Sequence, residues 1–282
     1  MKKRSLKKTF RCLLILFTFY LSNNYVFSQI SHGITSAGTS FKIGILSSSL
    51  PLSKSDELLQ VISRLDIHYL CVNPKHLPVK STNEEIVAFK AQLSEAGIEA
   101  YSVGLIYMRS KEKVDQAFEY ARRVGVEMII GAPAYELLPY VEQKVKEYNI
   151  KLAIHNHGGD IDLYPNADDV MKHIKNLDPR IGVCLDIGHN LRANSDPIED
   201  LKKYHNRILD IQIKDITAAN KSGRTCEMGH GIIDIPAFVR TLDKVKYRKI
   251  CSIEFEKDRR DPVAGIAESL GYLRGVIRVL IK

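Results

Sequence analysis

Four stretches in the second half of the chain decide how it folds: Lys151-Leu-Ala-Ile-His-Asn-His-Gly158, Gly182-Val-Cys-Leu-Asp-Ile-Gly-His189, Ile208-Leu-Asp-Ile-Gln-Ile-Lys-Asp215 and Lys249-Ile-Cys-Ser-Ile-Glu-Phe-Glu256. Each is a short apolar run with polar or small residues at alternate positions. Alternate residues of an extended chain point to opposite sides, so Ala153, His155 and His157 share one face while Leu152 and Ile154 take the other. Likewise Cys184 and Asp186 oppose Val183, Leu185 and Ile187, and Asp210, Gln212 and Lys214 oppose Ile211 and Ile213. Ser252, Glu254 and Glu256 oppose Cys251, Ile253 and Phe255. The apolar faces suit packing on helices, and the polar faces converge toward the carboxyl ends of the strands.

Working outward, the same kind of run recurs at Phe41–Leu46, His68–Asn73, Ile98–Val103 and Glu127–Ile130, giving eight strand candidates. Amphipathic stretches separate them at Ser53–Leu65, Asn83–Ala96, Lys111–Val124, Ala134–Tyr148, Ala167–Leu177, Pro197–Tyr204 and Pro236–Val245, and Pro262–Ile281 closes the chain. Ser53, Thr82, Ser110, Asn166, Asp196 and Asp234 are positioned to cap helices, with Pro197 and Pro236 in the first turns. Eight βα units of about 30 residues each predict a (β/α)8 TIM barrel. No strand leads into a G-x-G-x-x-G turn, which argues against a doubly wound dinucleotide fold. Gly229-His230-Gly231 is a lone G-x-G in a long loop.

The 282 residues carry 41 Lys and Arg against 33 Asp and Glu. Six of the basic residues lie within 1–28, which hold no acid, so the rest of the chain has 35 against 33, a net of +2. That balance removes the electrostatic case for a nucleic-acid partner. Residues 2–11 are basic, Cys12 to Leu21 form an apolar run of 10, and Val26-Phe27-Ser28 follows. This order predicts a signal peptide over 1–28, a mature single domain over 29–282, and export to the periplasm without stable membrane insertion. A retained anchor is the alternative, against which the short apolar run argues. Cys71, Cys184, Cys226 and Cys251 have no framework spacing and read as buried free thiols.

Carboxylates gathered in a barrel mouth repel one another and lose hydration, so they need protons, basic partners or a cation. Asp186 and Glu254 offer anionic oxygens and Gln212 a carbonyl oxygen. The segment His157-Gly158-Gly159-Asp160 adds either an imidazole or another carboxylate. This mixed donor set suits Mn, Mg, Co or Zn without singling one out. An ion pair with Lys214 or a helix cap is the alternative for either acid alone.

These motifs, with Gly229-His-Gly-Ile-Ile-Asp234, resemble the xylose-isomerase-like TIM barrels, the sugar phosphate isomerase/epimerase superfamily, over about residues 41–280. The resemblance implies a divalent metal held by four side chains, usually Glu, Asp, His and Glu. Asp186 matches the second of these and Glu254 the fourth, and Gln212 stands where the family has a metal-binding His. For the first, His155 occupies the strand position of the usual Glu, and Asp160 matches the acid of relatives with an H-N-H-G-P-E-D loop. Asp160 is preferred, which leaves His155 as a substrate contact and His157 beside the substrate as a catalytic candidate. The resemblance further implies a proton-transfer or substrate contact for His76, in a His-Leu-Pro segment, and substrate contacts for His189, Arg192 and His230. Glu256, at the end of the inward face of strand eight, is a further candidate contact. Lys214 is a candidate base or electrostatic stabiliser.

The chemistry so implied is removal of a proton alpha to a carbonyl, with a metal to stabilise the developing charge. Export favours a non-phosphorylated small carbohydrate, and exported relatives imply a 3-keto sugar or glycoside, with isomerase, epimerase, hydratase or lyase outcomes. A non-catalytic carbohydrate-binding barrel with a decayed metal site is the alternative, and a homo-oligomer is compatible with the family.

Overall fold

The computed structural model describes residues 41–281. The expected signal segment and residues 29–40 of the expected domain lie outside them. The strands are β1 (Lys42–Leu46), β2 (Tyr69–Val72), β3 (Glu99–Met108), β4 (Met128–Pro133), β5 (Lys151–His155), β6 (Ile181–Asp186), β7 (Ile208–Ile213), β8 (Asp215–Ile216), β9 (Thr225–Cys226) and β10 (Ile250–Ile253). β1 to β7 and β10 close a parallel barrel in chain order, β10 pairing with both β7 and β1. Around it run α1 (Ser55–Arg64), α2 (Asn83–Glu95), α3 (Lys111–Val124), α4 (Leu138–Tyr148), α5 (Ala167–Ile174), α6 (Ile187–Arg192), α7 (Pro197–Tyr204), α8 (Ile235–Lys244) and α9 (Val263–Leu280). Among the described residues no helix is long and apolar enough to cross a membrane.

Local chemistry sets the helix starts. Thr82 and Glu85 form a capping box, and Ser110, Asn166, Asp196 and Asp234 each accept a backbone N–H in the first turn. Ser53 does not cap: α1 starts at Ser55, behind Lys54, with no side-chain cap. Strand six also ends one residue earlier than its apolar run. The Asp186 carboxylate accepts the N–H of His189 at 2.7 Å and turns the chain into α6, a helix absent from the sequence expectation. The antiparallel hairpin of β8 and β9 is a second addition.

The faces separate as the alternation dictates. Leu152, Ile154, Val183, Leu185, Ile211 and Ile213 join the core between strands and helices. Leu46, Cys71, Met128, Ile130, Ala153 and Cys184 form a separate cluster within the barrel. Cys71, Cys184, Cys226 and Cys251 are free and buried.

Asp210, on the inward face of β7, is fully buried, with the Cys184 thiol 3.5 Å and the Ser252 hydroxyl 3.4 Å from its Oδ2. Burial pushes its carboxyl up to about 7, outweighing contacts with Cys184, Tyr101 and Ser252 that favour the anion. The folded protein therefore keeps a proton that the unfolded chain releases near pH 4, and this stabilisation is lost as pH rises through 7. Urea unfolding of wild type and Asp210→Asn at pH 5 and pH 8 checks this. The variant's stability relative to wild type is expected to rise by about 3 kcal/mol between the two pH values, two pKa units' worth. An unchanged difference would show that Asp210 does not titrate there.

Candidate active site

At the carboxyl ends of β5, β6, β7 and β10, four inward side chains meet. His155 Nε2 lies 2.5 Å from Gln212 Oε1, 3.6 Å from Asp186 Oδ2 and 3.8 Å from Glu254 Oε2. One donor atom each from His155, Asp186 and Glu254 falls within 4.8 Å of the others. The strand ends are braced by Asn156, whose amide donates to the carbonyl of Asp186 at 3.0 Å and accepts the N–H of Asp186 at 2.9 Å.

Lys214 is the counter-ion of this group. Its ammonium lies 3.0 Å from Asp186 Oδ2, 2.9 Å from Glu254 Oε2 and 3.1 Å from Glu256 Oε2. Only the contact to Glu256 has hydrogen-bond alignment. Asp186 Oδ2, Glu254 Oε2, His155 Nδ1 and Gln212 Nε2 are buried without an aligned partner. One ammonium thus offsets only part of the charge of three carboxylates, and the directional demand of the two buried oxygens is unmet; facing an imidazole nitrogen, they form a donor set that fits a divalent cation.

The charges sort the histidines. Burial disfavours an imidazolium at His155, but the neighbouring carboxylates of Asp186 and Glu254 override it and raise its pKa to about 9. Burial and the neighbouring His155 charge lower His157 to about 3, so that ring is neutral, with the Tyr107 hydroxyl 3.0 Å from its Nε2. Burial and Lys214 likewise hold His189 well below its usual range. Asp186 is driven below the ordinary carboxylate range, its burial overridden by Lys214 and His155, and Lys214 is held well above its own range despite burial.

Asp160 does not join the cluster. Gly158 and Gly159 have φ of +65° and +80°, and a Cβ on Gly158 would stand 2.9 Å from the His189 carbonyl oxygen. This left-handed turn packs on α6 and delivers Asp160 to Arg192, which grips it with two 2.7 Å hydrogen bonds. His155, on the strand itself, takes the place expected for Asp160. Arg192 also lies 3.1 Å from His189 Nδ1. A cleft of about 510 Å³ is lined by Asp160, His189, Arg192, Lys214, Arg224 and Glu256 among others, and meets the cluster at Lys214.

Two other candidates are paired outside the cluster. His76 lies 2.9 Å from both the Ser47 hydroxyl and the Leu52 carbonyl, so both ring nitrogens tie the segment after β2 to that after β1. His230 faces outward and pairs with Glu268 of α9 at 2.8 Å. Tyr107, at the end of β3, was missed. Its strand is apolar on both sides of it, and nothing in sequence marks a partner fifty residues on.

A protein-family profile described as a xylose isomerase-like TIM barrel matches residues 65–276. A 3-oxo-isoapionate decarboxylase of Pectobacterium atrosepticum is 28% identical over 116 residues, 39% of this chain and 40% of that protein. An inosose dehydratase of Clostridium tetani is 28% identical over 147 residues, 46% of this chain and 49% of that protein. This chain therefore spans under half the length of these curated relatives. The crystal structure of the IOLI protein with a binding zinc atom has a TM-score of 0.70, over 86% of this chain and 100% of that one, at 14% identity, a likeness of fold.

Proposed function

The chain belongs to the xylose isomerase-like TIM barrel family, and from that premise we propose that it is a divalent-metal-dependent enzyme that removes a proton alpha to the carbonyl of a small, non-phosphorylated keto sugar or glycoside. The observation that carries this reading is the convergence of His155, Asp186, Gln212 and Glu254, with buried oxygens that no aligned donor satisfies. These four residues would hold the ion. When bound, a divalent cation supplies a Lewis acid that lowers the cost of charge developing on a carbonyl oxygen.

The protein's own groups supply the rest. Lys214, held charged by its three carboxylates, is an electrostatic stabiliser and not a base. Glu256 stands beside it on the cleft wall and is the carboxylate placed to accept a proton. His157, neutral and held with its Nε2 3.0 Å from the Tyr107 hydroxyl, packs edge-on against the His155 ring and helps to position it. A decarboxylase of a 3-oxo compound and a dehydratase among the relatives support enolisation as the shared step. A non-phosphorylated substrate follows from reading residues 1–28 as an export signal. The final outcome, isomerase or epimerase against hydratase or lyase, depends on what meets the enolate.

The metal-loaded protein in D2O is expected to exchange the C2 proton of 3-keto-glucose for deuterium, observed by proton NMR, and to stop on addition of a chelator. Metal-loaded protein that leaves the C2 proton in place across a panel of 3-keto sugars and glycosides would overturn the reading.

A further inference from the structure

Lys214 sits on the very oxygens that the donor set offers to a cation. It is almost fully buried, at 2% exposure, and its ammonium contacts Asp186 Oδ2 and Glu254 Oε2, the two orphaned acceptors of the cluster. Carboxylate oxygens lie about 2.0–2.2 Å from a zinc-like ion. An ammonium and a divalent cation sharing both oxygens would be like charges within a few ångströms in a buried site, where screening is poor.

A second station for the lysine is built in. Its one aligned hydrogen bond already runs to Glu256 Oε2 at 3.1 Å. The Glu256 side chain is 39% exposed and lines the cleft, whereas Asp186 is fully buried and Glu254 nearly so. Gly188 packs against the stem of Lys214, a Cβ there standing 2.7 Å from both Cγ and Cδ, so the stem is confined while the head has acceptors on two sides.

Resting on the metal-dependent reading above, we propose that Lys214 is a tethered counter-ion that competes with the divalent cation for Asp186 and Glu254, and that metal uptake transfers its ammonium to Glu256 on the cleft wall. The lysine thereby sets the metal affinity. It also links metal loading to the arrival of a positive charge where substrate oxygens enter.

Calorimetric titration with Mn and Zn of wild type, Lys214→Gln, Glu256→Gln and the double variant tests this. Lys214→Gln is expected to bind metal at least tenfold more tightly than wild type. Glu256→Gln removes the lysine's second station and should weaken binding in wild type, with that loss reduced at least threefold in the Lys214→Gln background. Should Lys214→Gln prove too unstable to titrate, the rise of its melting temperature on adding metal reads the same affinity. Equal or weaker binding by Lys214→Gln overturns the competition while leaving a metal enzyme. Additive effects of the two changes overturn the transfer to Glu256. Failure of all four proteins to bind metal removes the metal-dependent reading and this proposal together.

Discussion

Glu254→Ala is expected to leave the protein folded and unable to hold a divalent cation. Glu254 supplies one of three donors that converge within 4.8 Å, and its Oε2 has no aligned hydrogen bond to lose. Loss of one ligand of a four-donor set should cost more than the 10–100-fold typical of an outer partner. Metal content after dialysis should fall from near stoichiometric to below about a tenth, and exchange at C2 should fall with it. Asp186→Ala should do the same with an added stability cost of about 1 kcal/mol, because Asp186 also caps α6. Elemental analysis of protein purified without chelator distinguishes the outcomes. Full metal retention by both variants would place the ion elsewhere.

The largest effect on stability should come from Asp215. This fully buried carboxylate accepts four backbone N–H groups: Ile216 at 2.9 Å and Ile233 at 3.1 Å on Oδ1, and Gly229 at 2.9 Å and Gly231 at 3.0 Å on Oδ2. It ties the loop after β9 to the start of β8. Gly231 lies so close to the carboxylate that any Cβ there would collide with it. Asp215→Ala strands four donors and opens a polar hole, at a cost of about 3–5 kcal/mol. Asp215→Asn should recover little, since one side of an amide presents hydrogens to two N–H groups. Urea unfolding measures both, and amide exchange at Gly229 and Gly231 should accelerate in each. A cost below about 1 kcal/mol for Asp215→Ala would mean that the loop is held by other contacts.

Asp215 also shows where sequence reading loses sight of a residue. It closes the Ile211–Asp215 motif, and Gly229-His230-Gly231 stands as an isolated G-x-G. Nothing local joins them, because the bonds link positions 14 to 18 apart through a turn whose shape depends on the bonds themselves. Asp160 and His155 illustrate the same limit in the site. Both are acceptable ligands in sequence, and the choice turned on two left-handed glycines and on Arg192, thirty-two residues further on.

By itself the sequence determined the barrel and its eight strands, the inward faces carrying His155, Asp186, Gln212 and Glu254, and all but one of the expected helix caps. Strand alternation and capping are properties of neighbouring residues, and burial of the apolar faces leaves few other ways to arrange eight βα units. Tertiary structure alone decided that His155 and not Asp160 faces the carboxylates, that His76 and His230 are engaged elsewhere, and that Lys214 stands among three acids. Those are contacts between strand ends and loops far apart in the chain, where closure of the barrel sets the distances and mutual charge then selects the partners.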